Sequence, residues 1–120
     1  MAGIVFLKTG TRDRIVTFYQ NVMGMTSSLE QEGISILRHE NLLVGFVQSD
    51  TYEHRDDGSL VTFFYPGRED VDQVYSRLKT HAEGSPRENQ VYRIYNFYAR
   101  DPEGRRFEVQ TFLHELSSWQ

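Results

Sequence analysis

An α+β fold built from two βαβββ modules is the class that this sequence predicts, on three observations. A β-rich run, "GIVFLKT" from Gly3 to Thr9, leads through Gly10 into a segment whose apolar residues Ile15, Phe18, Tyr19 and Val22 fall at i, i+3, i+4 and i+7, one face of a helix. Fifty-six positions on, the order recurs as "LVTFFYP", Leu60 to Pro66, followed by Val71, Val74, Tyr75 and Leu78 at the same spacing. Each copy is trailed by short β-type runs, "ISILRHE" and "NLLVGFVQS" in the first, "VYRIYNFYARD" and "RRFEVQTF" in the second, with turn-prone Glu-Gly, Glu-Asn and Asp-Pro-Glu-Gly between runs. One domain over 1–120 is expected, with modules 1–49 and 60–120 joined by a polar linker, 50–59, whose composition is that of a connector.

The elements follow in order. Thr11 is placed to cap the first helix and Gly24 to end it. "REDVDQ" is an acidic start that suits the dipole of the second helix. "HAEGSPRENQ", His81 to Gln90, reads as a mobile surface loop. "DPEGRR" reads as a hairpin turn with Pro102 and Gly104 in turn positions and Arg105 and Arg106 as a short basic patch.

Composition narrows the chemistry. With 13 basic against 17 acidic residues, and no Lys/Arg run that tracks a phosphate backbone, nucleic acid is not an expected partner. No apolar run is long enough for a membrane span and no signal-type segment opens the chain, so no membrane association and a cytoplasmic address are expected. The chain has no cysteine, which removes disulfides, thiolate nucleophiles and thiolate metal sites. No GxGxxG or GxxxxGK[ST] cluster forms a phosphate loop.

Strand alternation then sorts the two sheet faces. Val5 and Leu7, and in the repeat Val61, Phe63 and Tyr65, are expected against the helices. Ile4, Phe6 and Lys8, with Leu60, Thr62 and Phe64, are expected on the faces away from them, and Phe107 and Val109 place Arg106, Glu108 and Gln110 there too. A helix-free face that is partly polar is a natural cavity wall. A desolvated carboxylate needs a cation or several donors to compensate it, and Lys8, Arg38 and Arg106 are the candidate cations on the side of Glu108. Glu108 is then a structural ion-pair partner, an acceptor that orients a ligand, or a general base, its one catalytic reading. Phe6, Phe64, Tyr92, Tyr95, Tyr98, Phe112 and Trp119 serve either as core or as a box for a flat or cationic ligand. His39, His54, His81 and His114 share no expected face with Glu108.

"RIVTFYQNVMGM" and "FYARDPEGRRFEVQ" resemble the first-helix and last-hairpin signatures of the vicinal oxygen chelate superfamily, which groups glyoxalase I, extradiol dioxygenases and bleomycin-resistance proteins. The resemblance covers nearly the whole chain and implies paired modules curled into a curved, partly open mixed sheet around a cavity. It also implies a divalent metal held by His or Glu from the first and last strands of each module. Those positions fall at Ile4, about Gly45, Leu60 and Glu108, so one ligand of four is present and no metal and no cofactor are expected. The expected function is metal-independent binding of a small organic molecule, in the manner of the drug-sequestering members. Phe6, Lys8, Arg38, Thr62, Phe64, Tyr98, Arg106, Glu108 and Gln110 are the expected ligand-binding residues. The alternatives are a metal-dependent lyase, isomerase or dioxygenase with unrecognised ligands, and an interaction or regulatory module with a filled cavity. Exposed sheet edges and the resemblance together point to a homodimer, with Trp119 of the tail "HELSSWQ" as an anchor.

Overall fold

The computed structural model describes residues 2–115. Its elements run β1 (Ile4–Thr9), α1 (Arg12–Met23), β2 (Thr26–Gln31), β3 (Ile34–His39), β4 (Leu42–Gln48), β5 (Val61–Phe64), α2 (Arg68–Leu78), β6 (Arg87–Asn89), β7 (Ile94–Arg100) and β8 (Arg106–Phe112). The βαβββ order therefore occurs twice, in two four-stranded mixed sheets. The chain divides into two compact units. The first runs to Arg55 and includes Pro102–Gly104; the second runs from Asp56 to Asp101 and resumes at Arg105. No described helix is long and apolar enough to cross a membrane.

In the first unit the strand order is β1-β4-β3-β2, with β1 parallel to β4 and the other pairs antiparallel. α1 buries Ile15, Phe18, Tyr19 and Met23, and Tyr19 stacks on Phe46 with ring centroids 5.3 Å apart. Thr11 precedes α1 without a side-chain cap bond; the Arg12 amide instead donates to Gln48 Oε1 at 2.9 Å. Gly24 ends the helix in the left-handed region, φ 68°, where a Cβ is unfavourable. The sequence runs located only β3 and β4 after this helix. β2, "TSSLEQ", is exposed at every position and bulged between Ser27 and Leu29, so no buried face imprints a period on it.

β1 is an outer strand with Ile4, Val5 and Phe6 all exposed, so Val5 is not packed against a helix as the alternation predicts. The Phe6 ring lies over Gly45, its partner in register, and a Cβ at Gly45 would stand 2.5 Å from two ring carbons. Gly45→Ala is therefore expected to swing the exposed ring aside and cost about 0.5–1.5 kcal/mol. In a Phe6→Ala background most of that cost should vanish, and urea titration of the four proteins of the cycle checks it.

The tip Pro102–Gly104 fastens this unit: Glu103 accepts from Thr9 Oγ1 at 2.5 Å and from the Gly10 amide at 2.9 Å. His39, at the end of β3, has its pKa lowered from 6.5 by burial, with Glu40 opposing. The unfolded chain then binds the proton more readily than the folded one. The contribution is complete above pH 6.5 and is lost as pH falls through the lowered folded value. His39→Gln should flatten the urea-midpoint profile between about pH 7 and about pH 5.

In the second unit the order is β5-β8-β7-β6, with β5 parallel to β8. α2 buries Val71, Val74 and Leu78 over a face that carries Phe63, Phe97, Phe107 and Val109. Phe63 meets Phe107 edge-on at 5.9 Å and Tyr75 meets Phe97 at 5.3 Å. The Gly67 amide donates to Asp70 Oδ2 at 3.1 Å, so the acidic start closes the first turn.

Two expectations are corrected here. Residues 81–90 are not a free loop: Arg100 N donates to His81 O at 3.0 Å, Glu83 N donates to Tyr98 O at 2.9 Å, and β6 pairs with β7. Of the two readings of Tyr95, it packs on the helix side, where its hydroxyl donates to Asp72 Oδ1 of α2 at 2.6 Å. Arg105 is not part of a basic patch. It is 7% exposed, donates to Asp101 Oδ2 from Nη1 at 2.8 Å and to Oδ1 from its amide at 3.1 Å, and closes the β7–β8 turn with Gly104 at φ 85°.

Candidate functional site

The register of the second sheet sets out its helix-free face in rows. Arg87, Asn96, Gln110 and Phe64 lie side by side, and next to them Tyr98, Glu108 and Thr62. Arg100 and Arg106 form a third row. Period-two alternation dictates this once Phe107 and Val109 turn to the helix.

Glu108 is 6% exposed, and both of its oxygens accept hydrogen bonds, Oε1 from Thr62 Oγ1 and Oε2 from Asn96 Nδ2, each at 2.7 Å. Of the two kinds of compensation, a cation or several donors, these are donors, and both are neutral. Lys8 and Arg38 belong to the first unit, where Arg38 Nη1 donates to Glu40 O at 3.1 Å. Arg106 is held by Glu83, with Nε and Nη2 each 3.1 Å from Oε1, and its guanidinium lies 3.7 Å from the centre of the Tyr98 ring. Glu83 also accepts from Arg100 Nε at 2.9 Å, and Arg100 reaches Asp56 at 3.2 Å. A carboxylate offers about four acceptor positions, so Glu108 keeps acceptor capacity for a further donor.

Asn96, itself 6% exposed, links this carboxylate to a cleft of about 500 Å³ whose wall includes Glu83, Arg87, Glu88, Tyr98 and Arg106. Of the expected ligand-binding residues, Tyr98 and Arg106 line the cleft and Thr62 and Glu108 are joined to it through Asn96. Gln110 stands beside Asn96 in register, and Phe64 meets Phe112 edge-on at 5.6 Å. Phe6, Lys8 and Arg38 belong to the first unit. Tyr92 is 70% exposed, and Trp119 lies outside the described residues.

Sequence reasoning missed Asn96, Glu83, Arg87 and Arg100. A signal for Asn96 was present: in "IYNFYAR" the alternation Ile94, Asn96, Tyr98, Arg100 puts an amide on the face of Glu108. Arg100 follows from the same alternation, whereas Glu83 and Arg87 come from 83–90, where no period announces a strand.

The metal implied by the resemblance does not fit the residues present. Leu60 precedes β5, and the fifth-strand residue in register with Glu108 is Thr62, just as Phe6 is in register with Gly45. Thr62, Asn96, Tyr98 and Gln110 surround the carboxylate, and both of its oxygens are engaged. Among the described residues no three His, Asp or Glu side chains gather.

Comparisons agree on the fold. A structure described as a glyoxalase/bleomycin resistance protein/dioxygenase family enzyme from Burkholderia phytofirmans PsJN superposes with TM-score 0.80 at 21% identity, covering 92% of this chain and 97% of that one. A lactoylglutathione lyase from Agrobacterium tumefaciens gives TM-score 0.73 at 17% identity, covering 92% of each chain. A genomically encoded fosfomycin resistance protein from Listeria monocytogenes gives 0.74 at 16%, again over 92% of each. No curated protein matches the sequence. The family model matches residues 4–109, and the chain belongs to the Glyoxalase/Bleomycin resistance protein/Dioxygenase superfamily.

Proposed function

We propose that this chain binds a small organic molecule without a metal, on the helix-free face of its second unit. The observation that supports this best is Glu108, a buried carboxylate held by two neutral donors and linked by Asn96 to a cleft large enough for a small ligand. A group kept only for stability is expected to have its charge matched, since an unmatched buried charge costs free energy. Here the neutral donors position the acid and leave it able to accept from a ligand. Thr62 and Asn96 orient the carboxylate; Tyr98 and Arg106 supply a flat surface.

The test is a fragment screen by thermal shift on protein purified without chelator and then divided, one half treated with EDTA. Elemental analysis of the untreated half should find zinc, nickel, manganese and iron all well below one equivalent. Fragments that raise the melting temperature should do so equally in both halves. A response that requires metal would sink the proposal and favour a metal-dependent lyase, isomerase or dioxygenase.

The protein is further proposed to be a homodimer. β1 and β5 are each an outer strand of their own sheet, and Ile4, Val5, Phe6, Leu60 and Phe64 expose apolar surface on or beside them. Light scattering should give twice the chain mass of 14.1 kDa, and a mass of one chain would contradict it.

A further inference from the structure

We propose that the cleft of the second unit takes a flat organic anion, of the carboxylate type, with Arg87 as the residue that pairs with its charge. This rests on the small-molecule reading above and adds the chemical class of the ligand.

Charge accounting along the cleft wall carries the inference. The wall holds two acids, Glu83 and Glu88, and two cations, Arg87 and Arg106. Both acids are already engaged. Glu83 accepts from Arg100 and Arg106. Glu88 accepts from Arg68 through one oxygen and from Gln90 Nε2 through the other at 3.0 Å. The Arg68 hydrogen bond, reinforced by its charge, holds the Glu88 carboxyl below its usual value and so keeps it ionised and committed. Arg68 and Arg100 are not themselves on the wall, so the acids are neutralised partly from outside it. What remains is Arg87, whose side chain makes no ion pair or hydrogen bond among the described residues.

Position agrees with charge. Arg87 is directly opposite Asn96 in the β6–β7 register, so its side chain shares the face of the buried site. Its Nη2 lies 3.4 Å from where a Cβ at position 84 would stand, so the guanidinium runs along backbone that a glycine leaves clear. A guanidinium presents paired donors to a carboxylate in a fixed fork. The second cation, Arg106, lies with one face on Tyr98, and its outer face is a platform on which a planar body can stack. On the wall itself a cationic ligand would meet Arg87 and Arg106 and find both acids occupied, while Glu108, which is not on the wall, is reached past Asn96 and serves a neutral donor of the ligand.

The test uses 6-hydroxy-2-naphthoate, whose hydroxyl can donate to Glu108 while its carboxylate meets Arg87, and its neutral counterpart 6-hydroxy-2-naphthamide, titrated calorimetrically into EDTA-treated protein at low salt. The wild-type protein should bind the acid roughly tenfold more tightly than the amide, the magnitude of one charge-assisted hydrogen-bonded contact. Arg87→Gln should weaken the acid far more than the amide and bring the two probes to within about twofold, and because Arg87 is exposed its melting temperature should match wild type. Equal binding of acid and amide by the wild type, or an acid preference that survives in Arg87→Gln, overturns the anion assignment while the small-molecule reading stands. Absence of binding by both probes at millimolar concentration overturns both.

Discussion

Asp101→Ala is expected to lower folding stability by about 3–5 kcal/mol, a large fraction of what a domain of this size possesses. The Asp101 side chain is fully buried and that of Arg105 is 8% exposed, so the replacement strands a guanidinium away from water. It also removes the acceptor of the Arg105 amide and so unfastens the turn that joins β7 to β8, the strand of Glu108. Asp101→Asn should fall between, because it keeps an acceptor for the amide and loses only the charge. Asp101→Ala with Arg105→Ala should cost well below the sum of the single changes, since no unmatched charge remains. Urea unfolding of the four proteins measures this. Strict additivity would show that the ion pair is not what the turn depends on.

The second large effect lies at the site. Asn96→Leu leaves Glu108 Oε2 without its donor in a place water reaches poorly, and the expected cost is about 1–3 kcal/mol, the penalty for an unsatisfied buried acceptor. Glu108→Gln alone should be mild, because the Asn96 amide can turn to present its oxygen to the new donor. In a Glu108→Leu background Asn96→Leu should cost little, since neither polar group is left waiting for the other. Ligand response should be lost in all three proteins that alter Glu108. Such a split, with stability nearly kept and binding gone, separates a residue that serves a ligand from one that serves the fold. An Asn96→Leu cost that persists after Glu108→Leu would mean the hydrogen bond is not its source.

Legibility followed burial. The repeats of α1 and α2 were readable because Ile15, Phe18 and Tyr19, and Val71, Val74 and Leu78, bury one stripe each and so must recur with the helical period. The inward turn of Glu108 was readable because Phe107 and Val109 bury the opposite face. β2 and β6 were not, since "TSSLEQ" is wholly exposed and "REN" is three residues long, and neither is constrained by a core. Which donors would compensate Glu108 was not legible for a different reason. Charge complementarity suggested a cation, but register and not charge decides who stands beside a strand residue, and register gave Thr62 as a neighbour and Asn96 on the diagonal. Arg105 reads as a surface residue in any turn, and only the three-dimensional closure of the hairpin reveals that Asp101 holds it inside.

The central claim is that an organic ligand binds beside Glu108 with no metal taking part. The Asn96 side-chain amide, which both lines the cleft and donates to that carboxylate, is the natural reporter. Its nitrogen-15 NMR resonances, followed in metal-stripped protein during a 6-hydroxy-2-naphthoate titration, should shift saturably and by the same amount when a divalent metal is added back. Resonances that stay fixed until the metal is restored, and move only then, would contradict the account.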